Sequence, residues 1–314
     1  MDFPPVLKGT EHAEFARSVL SGLSATPKTL HARWLYDGVG AKLFEAITKL
    51  DHYYPTRTEM AILEENAGEI ADSLGDGVTI VEPGAGEATK VRPLLAALGP
   101  RAAGYIPIDI AEEQLRSVAN EMAALYPALA VKGIAADFFR PFAMEKPARA
   151  VIFFPGSTVG NMSLADGQTL LRSLGQMTGA DRFLIGFDLV KDRQTLIDAY
   201  DDPAGVTAAF KKNILQRINR ELGADFDIAK FSHDVRFNEE TQAIEMRLRT
   251  DEALTVTVAG RTVTFEAGEA IHTEDSRKYT LESFAAFAKG AGLAPVNAWA
   301  DQAAQFAVML LKAA

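Results

Sequence analysis

Between residues 78 and 189 the sequence alternates short apolar segments with segments of helical periodicity. The apolar segments fit buried strands at Val78–Val81, Gly104–Asp109, Leu129–Ala136, Ala148–Phe154 and Arg182–Leu189. Helical spacing of apolar residues separates them at Lys90–Leu98, Glu112–Tyr126 and Leu164–Met177. This alternation predicts an α/β fold with a doubly wound parallel sheet, since parallel strands need a crossover that is usually helical. In such sheets ligands bind beyond the carboxyl ends of the strands.

The first predicted strand runs into a glycine turn. Gly84 and Gly86 can both adopt positive φ and let a ligand approach the backbone closely. A dinucleotide fingerprint needs a third glycine where Thr89 stands, so the turn does not indicate a pyrophosphate site. A plain strand–helix turn and a site for a nucleoside without phosphates both remain compatible with this stretch. Glu82, at the end of the strand, adds a carboxylate at the mouth of the sheet.

Acidic side chains also follow the next two predicted strands. Asp109 ends the second strand, where a carboxylate can accept hydrogen bonds from two ribose hydroxyls. Asp137 and Phe138 follow the third strand and could read adenine, with the carboxylate on the exocyclic amine and the phenyl ring on the base. Each acid could instead cap the following helix. With no phosphate motif nearby, the ligand that fits is an adenosine without a phosphate chain, of which S-adenosylmethionine is the common example.

Composition excludes several classes of protein. The 314-residue chain has a formal net charge of −10, which disfavours a nucleic-acid partner. It has no cysteine, so thiolate catalysis and cysteine zinc sites are excluded. The segment Met1–Pro5 has no signal-peptide pattern, and no run reaches the roughly 18 apolar residues that span a bilayer. We therefore expect a cytoplasmic protein without a membrane partner.

The segments on either side of the βα alternation predict a second domain. Residues 1–57 contain two tyrosine-rich loops, around Tyr36 and Tyr53. After residue 190, two helices precede four segments that alternate like antiparallel strands, at Val235–Phe237, Ala243–Arg249, Leu254–Val258 and Thr262–Phe265. A helix from Thr280 and two closing strands then complete a seven-stranded Rossmann-like methyltransferase core. The predicted domains are therefore a core of residues 58–190 plus 280–314 and an α+β domain of residues 1–57 plus 191–279.

Several longer motifs are more specific than this pattern. They include Tyr36-Asp37-Gly38-Val39-Gly40, Tyr53-Tyr54-Pro55-Thr56-Arg57, Gly156-Ser157-Thr158-Val159-Gly160-Asn161, Ala199-Tyr200-Asp201-Asp202-Pro203, Asn219-Arg220-Glu221-Leu222, Ile244-Glu245-Met246 and Thr273-Glu274-x-Ser276. Together with the glycine turn and the strand-end acids, they cover nearly the whole chain. In these motifs the sequence resembles the histidine-specific, S-adenosylmethionine-dependent Nα-methyltransferases of ergothioneine biosynthesis.

The resemblance implies a role for each matching residue. Those expected to hold the cofactor are Gly84, Lys90, Asp109, Asp137 and Phe138, to which the turn adds Glu82 and Gly86. Those expected to hold the amino-acid substrate are Tyr53, Asn161 and Tyr200 at the carboxylate, Tyr36 at the α-amine, Glu274 and Ser276 at the imidazole, and Met246 beside the ring. Pro83 departs from the family, in which a leucine-like residue is usual, and it removes one backbone N–H from the turn.

The activity that the resemblance implies is trimethylation of the α-amino group of L-histidine to hercynine. S-adenosylmethionine would be the methyl donor, the mono- and dimethylated histidines would be intermediates, and a monomer without metal would suffice. Two alternatives stay open: an Nα-methyltransferase for another amino acid such as tryptophan, and a non-catalytic nucleoside-binding protein. A NAD(P) oxidoreductase is disfavoured because the third glycine is missing.

Overall fold

A computed structural model describes residues 8–314 of the chain. It divides them into two compact units, a sheet unit of residues 55–190 and 279–314 and an α+β unit of residues 8–54 and 191–278. Residues 1–7, part of the second predicted domain, lie outside the described residues. We expected Pro55 to close a loop before a helix starting at Thr58, but the helix begins at Tyr54. Proline is tolerated there because first-turn N–H groups have no intrahelical partner.

The elements are numbered in chain order. The helices are α1 (Lys8–Leu23), α2 (Gly38–Thr48), α3 (Tyr54–Leu74), α4 (Arg92–Leu98), α5 (Glu112–Leu125), α6 (Leu164–Thr178), α7 (Arg193–Asp198), α8 (Val206–Leu222) and α9 (Leu281–Gly290). The strands are β1 (Val78–Pro83), β2 (Ala102–Asp109), β3 (Ala130–Val131), β4 (Ile134–Ala135), β5 (Ala150–Phe154), β6 (Arg182–Asp188), β7 (Phe231–Asn238), β8 (Ala243–Thr250), β9 (Leu254–Val258), β10 (Arg261–Phe265), β11 (Ala270–Arg277), β12 (Leu293–Ala300) and β13 (Phe306–Ala313).

The sheet unit contains one large sheet in the order β12-β13-β6-β5-β1-β2-β3, with β4 also paired to β2. Strands β1, β2, β5 and β6 run parallel, and β13 is antiparallel to both β6 and β12. This arrangement confirms the predicted seven-stranded Rossmann-like core. The third predicted strand is interrupted, because residues 132 and 133 fall between β3 and β4, which both pair with β2.

Alternate residues of the central strands enter two different hydrophobic cores. Ile80 and Val151 belong to one core, and their neighbours Val81 and Ile152 belong to the other. All six residues of β1 and all five of β5 are buried. Both faces of the sheet are therefore covered, which explains why these strands are continuous apolar segments in the sequence. The acidic residues of β1 and β2 lie near the carboxyl ends of these strands, where the candidate cofactor residues are.

The α+β unit has its own hydrophobic core and two small antiparallel sheets, β11-β8-β7 and β10-β9. The sequence did not predict β11, since its residues include three acids or hydroxyls in the run Glu274-Asp275-Ser276, and aspartate and glutamate are poor strand formers. Pairing with β8 along seven positions overrides this preference. The missed strand carries Glu274 and Ser276, the two residues expected to read the imidazole.

Candidate active site

In the sheet unit, the turn after β1 adopts the backbone conformation that its glycines allow. Gly84 has φ of +71° and Gly86 has φ of +53°. The N–H of Gly84 donates to the carbonyl of Ile108 at 2.7 Å, which ties the turn to the end of β2. A Cβ atom on residue 84 would lie 3.2 Å from the Phe138 ring. Glycine is therefore needed here both for its φ and because an aromatic side chain packs against the backbone.

Asp109 lies at the end of β2 and holds the same turn. One carboxylate oxygen accepts from the N–H of Gly86 at 3.2 Å, and the other accepts from the N–H of Ala111 at 3.0 Å. Each carboxylate oxygen has two acceptor sites, so these bonds leave capacity for hydroxyl donors from a ligand. The side chain is only partly buried. Asp109 therefore keeps acceptor capacity at the end of β2, and its ribose contact stays a prediction.

Asp137 and Phe138 follow β4 and lie beside the turn. The carboxylate of Asp137 accepts from the N–H of Phe139 at 3.0 Å and forms an ion pair with Arg140 at 3.2 Å. The ring of Phe138 packs on Phe139, with a centroid distance of 4.4 Å, and meets Phe154 edge-on. The aspartate therefore starts a local turn rather than capping a helix, since no helix follows it before β5, and the phenyl ring faces Gly84.

Glu82 is a buried carboxyl rather than a group at an open mouth. It is 2% exposed, and the hydroxyl of Tyr105 donates to it at 2.6 Å. Burial raises the pKa of Glu82 to about 8, although the Tyr105 bond and the charge of Lys90 oppose that rise. The group is therefore mainly protonated at neutral pH and offers a hydrogen-bond donor as well as an acceptor.

Lys90 forms an ion pair with Glu59, a residue that the sequence analysis did not select. Its Nζ lies 2.6 Å from a Glu59 oxygen, and the N–H of Gly156 donates to both oxygens of that carboxylate at 2.9 and 3.0 Å. A Cβ on Gly186 would lie 1.8 Å from Glu59, so this glycine makes room for the carboxylate. The buried Glu59 thus ties α3 to the loops after β1 and β5.

Asn161 also belongs to the sheet unit. It ends a short 3-10 turn, Thr158–Asn161, that follows β5, and it is partly buried. The turn is entered through Ser157, whose φ is +56° and whose hydroxyl accepts from the N–H of Asp188 at 3.0 Å. A serine in the left-handed region is uncommon, and such strain is typical of loops that present functional groups.

In the α+β unit, a bulge in β11 places polar side chains in the interior. The pairing with β8 shifts between His272 and Glu274, so Thr273 is the extra residue and Glu274 stands opposite Met246. Beyond the bulge, successive side chains alternate in direction, and Glu274 and Ser276 are both buried. Lys278 follows two residues later and is also buried. The bulge therefore directs one row of polar groups into an otherwise apolar core.

The carboxylate of Glu274 forms an ion pair with Lys211, which comes from α8. The lysine is 1% exposed and the glutamate 6% exposed, so both charges are held inside the unit. Burial lowers the pKa of Lys211, and the charge of Glu274 opposes that change. A buried pair of this kind is maintained by mutual attraction, because either charge alone would carry a large desolvation cost.

The hydroxyls of Tyr200 and Ser276 form a triangle with Lys278. The two hydroxyl oxygens are 2.8 Å apart, and Nζ of Lys278 donates to each of them at 2.8 Å. The ammonium also lies 4.5 Å from the centroid of the Tyr200 ring. Residues expected to hold the carboxylate and the imidazole of a substrate are therefore joined through one buried cation.

Tyr36 and Tyr53 belong to an aromatic group in the same unit. Tyr53 meets Tyr200 edge-on at a centroid distance of 5.8 Å, and Tyr36 meets Phe44 and Phe210 at 5.6 and 5.4 Å. Tyr36 keeps 39% of its surface exposed, but burial of its phenol raises its pKa above the ordinary range. Glu274, Tyr53 and Tyr200 raise that pKa further. The phenol of Tyr36 is therefore neutral near pH 7 and can donate or accept a hydrogen bond.

Comparison with known proteins identifies the family of the chain. The family described as histidine-specific methyltransferase, S-adenosylmethionine-dependent, matches residues 15–313. The chain belongs to this family. It is 40% identical over 305 residues to the histidine Nα-methyltransferase of Mycobacterium tuberculosis, covering 95% of each chain, and 41% identical over 300 residues to that of Mycolicibacterium smegmatis, covering 94% of this chain and 93% of the other. It is also 31% identical over 205 residues to ergothioneine biosynthesis protein 1 of Neurospora crassa, covering 63% of this chain and 23% of that protein.

The buried charged residues of this histidine-specific methyltransferase include Glu59, Lys211 and Lys278, to which sequence reasoning gave no role. Two of them carry a signal that periodicity could have revealed. Glu59 shares the buried face of α3 with Ile62 and Leu63, and Lys211 lies on the buried face of α8. A charge on the apolar face of a helix indicates a buried partner. Lys278 has no such signal, because it follows a strand that the sequence did not predict.

Among residues 8–314, no helix is both long enough and apolar enough to cross a bilayer. Among the same residues, no group of three or more histidine, aspartate or glutamate side chains has an arrangement that could hold a metal ion.

Proposed function

We propose that this methyltransferase transfers three methyl groups from S-adenosylmethionine to the α-amino nitrogen of L-histidine, which yields hercynine for ergothioneine biosynthesis. The observation that carries the proposal is the pair Glu274 and Ser276, two buried polar side chains on β11 beside Met246. An imidazole ring has two nitrogens that need polar partners when they leave water. The named histidine methyltransferases among the relatives support the same substrate.

The residues of the sheet unit fit the cofactor. Gly84 leaves the backbone open beside the Phe138 ring, and Asp109 has acceptor capacity for ribose hydroxyls. We assign these three residues to the nucleoside, together with Gly86 and Asp137. Lys90 and the neutral Glu82 complete the set that we expect near the cofactor. S-adenosylmethionine supplies an electrophilic methyl group when bound.

We assign the amino-acid substrate to the three tyrosines, Asn161 and the polar row of β11. Tyr53 and Asn161 would hold the carboxylate with a hydroxyl and an amide donor, and Tyr200 would line the same end of the substrate. Tyr36 would contact the α-amine. These groups orient a neutral amine for in-line attack, and such positioning is worth on the order of 7–11 kcal/mol. The chemistry needs little acid–base assistance, because a neutral amine is already a nucleophile.

Repeated methylation requires that the amine lose a proton before each transfer. The phenol of Tyr36 is held neutral by its raised pKa, so its oxygen accepts from a protonated amine and its hydrogen donates to a neutral one. A single partner that serves both states suits an amine that changes its substitution in successive rounds. We propose that Tyr36 fills this role in all three rounds.

Mass spectrometry of the full-length protein with S-adenosylmethionine and a mixture of the twenty amino acids tests the proposal. We expect a trimethylated product of histidine to accumulate, preceded by mono- and dimethylhistidine. Preferential methylation of tryptophan would show a different substrate, and no product from any amino acid would show a binding protein. We also propose that the enzyme acts as a cytoplasmic monomer, because one chain carries every candidate residue, and light scattering of the purified protein would reveal a stable dimer.

A further inference from the structure

The α+β unit buries two lysines next to the residues that we assign to the imidazole. Lys211 is 1% exposed and contacts Glu274, whereas Lys278 is 2% exposed and contacts Ser276. Burying a lysine is costly, so two such residues in one polar row need a reason. An ammonium group has three donors and no acceptor. Each lysine therefore determines which hydrogen-bonding role its neighbour can play.

Lys211 pairs with Glu274 as an ammonium with a carboxylate. The ammonium carries only donors, so the glutamate oxygen that faces it accepts. An ionised carboxylate only accepts hydrogen bonds, whereas a protonated one also donates. Glu274 can then serve a ring N–H but cannot serve a ring nitrogen that has only a lone pair.

Lys278 has the opposite effect on Ser276. The serine oxygen has two lone pairs, and Lys278 occupies one of them. Either hydroxyl could donate in the 2.8 Å contact between Ser276 and Tyr200. We assign the tyrosine as the donor, because a phenol is the more acidic hydroxyl, and the serine then accepts with its second lone pair. With both lone pairs used, the serine hydroxyl has only its proton left to offer. Ser276 can then serve a ring nitrogen with a lone pair.

We propose that Lys211 and Lys278 are positioning residues that make Glu274 an obligate acceptor and Ser276 an obligate donor, so that the pocket selects a neutral imidazole. This inference rests on the proposed function, since it assumes that histidine binds here. A neutral imidazole has one N–H and one lone-pair nitrogen, which match this polarity in one tautomer. A ring that lacks either group cannot form the hydrogen bond with Glu274 or with Ser276. The loss of that buried hydrogen bond lowers affinity.

Ring analogues of histidine separate the two lysines. Thiazolylalanine keeps a lone-pair nitrogen without an N–H, and pyrrolylalanine keeps an N–H without a lone-pair nitrogen. Affinities of the full chain, saturated with S-adenosylhomocysteine, would be measured by calorimetry for histidine and for both ring isomers of each analogue. We expect the unaltered enzyme to bind histidine about 10- to 100-fold more tightly than either analogue, as for the loss of one charge-assisted or buried hydrogen bond.

The lysine variants should then show a crossed pattern. Lys211→Met should weaken histidine and pyrrolylalanine by about tenfold or more and leave thiazolylalanine within about twofold. Lys278→Met should weaken histidine and thiazolylalanine and spare pyrrolylalanine. Lys212→Met, the next residue of α8 and only partly buried, is the matched control and should change none of the three. An equal loss for all three ligands would show a merely structural role and would overturn the proposal.

Lys211→Met removes a positive charge from beside the buried Glu274, so the double variant Lys211→Met with Glu274→Gln is a second route. The glutamine amide both accepts and donates, so the double variant should no longer distinguish the two analogues at this position. Retained discrimination there would contradict the proposal. If the unaltered enzyme methylates histidine but the crossed pattern is absent, only this inference fails. If the unaltered enzyme does not methylate histidine, the proposed function itself fails.

Discussion

Each unit contains a lysine–glutamate pair among its candidate ligand residues, but the two pairs are built differently. Glu59 in the sheet unit accepts from Lys90 and also from the backbone N–H of Gly156, and the Lys90 side chain keeps 18% of its surface exposed. Glu274 in the α+β unit meets Lys211 where both side chains are at most 5% exposed. The first pair links segments of the backbone to one another. The second pair places two charges within a row of buried polar side chains.

Under the proposed function, the difference matches the two kinds of ligand that the enzyme would bind. A nucleoside can be held by loops whose backbone and strand-end acids are set by the parallel sheet, so the charged pair there only needs to fix the loops. A small amino acid with an imidazole ring needs several polar groups around one ring, which the interior of an α+β unit supplies only by burying charges. Buried charges require partners, and the lysines provide them.

Replacing Glu274 should have the largest effect. Glu274→Gln keeps the shape of the side chain but leaves Lys211 buried without a counter-charge, and it removes the obligate acceptor. We expect kcat/KM for histidine to fall by about 10²- to 10³-fold, while the affinity for S-adenosylhomocysteine stays within about twofold. Steady-state kinetics and calorimetry measure the two quantities. Glu282→Gln in the first turn of α9 is the control, and unchanged histidine turnover in Glu274→Gln would remove Glu274 from the imidazole site.

Glu59→Gln should have a smaller effect, and that effect should be on cofactor affinity rather than on histidine turnover. The carboxylate loses its charge, so Lys90 loses its ion pair and the Gly156 loop is held less firmly. We expect the affinity for S-adenosylhomocysteine to fall by about tenfold and the free energy of unfolding by about 2 kcal/mol, because the lysine is partly exposed to water. Calorimetry and denaturant unfolding measure these changes, with the exposed Glu64→Gln on the same helix as the control. If Glu59→Gln lowered kcat for histidine without changing cofactor affinity, the contrast between the pairs would be wrong.

Glu82→Gln is expected to have the smallest effect on histidine turnover, because it keeps a neutral hydrogen-bonding side chain, and to act mainly on the pH dependence of stability. The pKa of Glu82 is raised from an ordinary value near 4.5 to about 8, so the folded protein holds a proton there that the unfolded chain releases. The stability that this group contributes is therefore largest below pH 4.5, declines as the pH rises toward about 8 and stays low above that pH. Glu82→Gln should change the stability little at or below pH 4.5 and remove most of the decline between pH 4.5 and about 8. Melting temperatures across this range test it, and parallel pH profiles of the two proteins would show that Glu82 is ionised throughout.

Much of the sheet unit could be predicted from the sequence. Its strands are continuous apolar segments because both faces are buried, and its acids stand at strand ends because parallel strands present those ends together. The fold, the family and the dependence on S-adenosylmethionine are confirmed. The individual residues assigned to cofactor and substrate stay predictions, which the variants of Glu274 and Glu59 test.

The α+β unit was harder to predict because its key strand is polar. β11 forms through pairing with β8 and a bulge, neither of which its own residues indicate. The contact between Lys211 and Glu274 spans 63 positions of the chain, and that between Lys278 and Tyr200 spans 78. No local periodicity connects residues that far apart. The position of Glu59 on the apolar face of a helix, by contrast, is a local signal of a buried acid. No local pattern indicates that its partners are Lys90 and Gly156.

The sequence by itself determined the alternation of strands and helices, the glycine turn, the family and therefore the class of reaction, because these depend on local patterns and on long motifs. Only the tertiary structure decided which charges are paired in the interior. That outcome depends on desolvation, which acts when distant segments are packed together, and a buried lysine beside a glutamate or a hydroxyl has no counterpart in the linear order of residues.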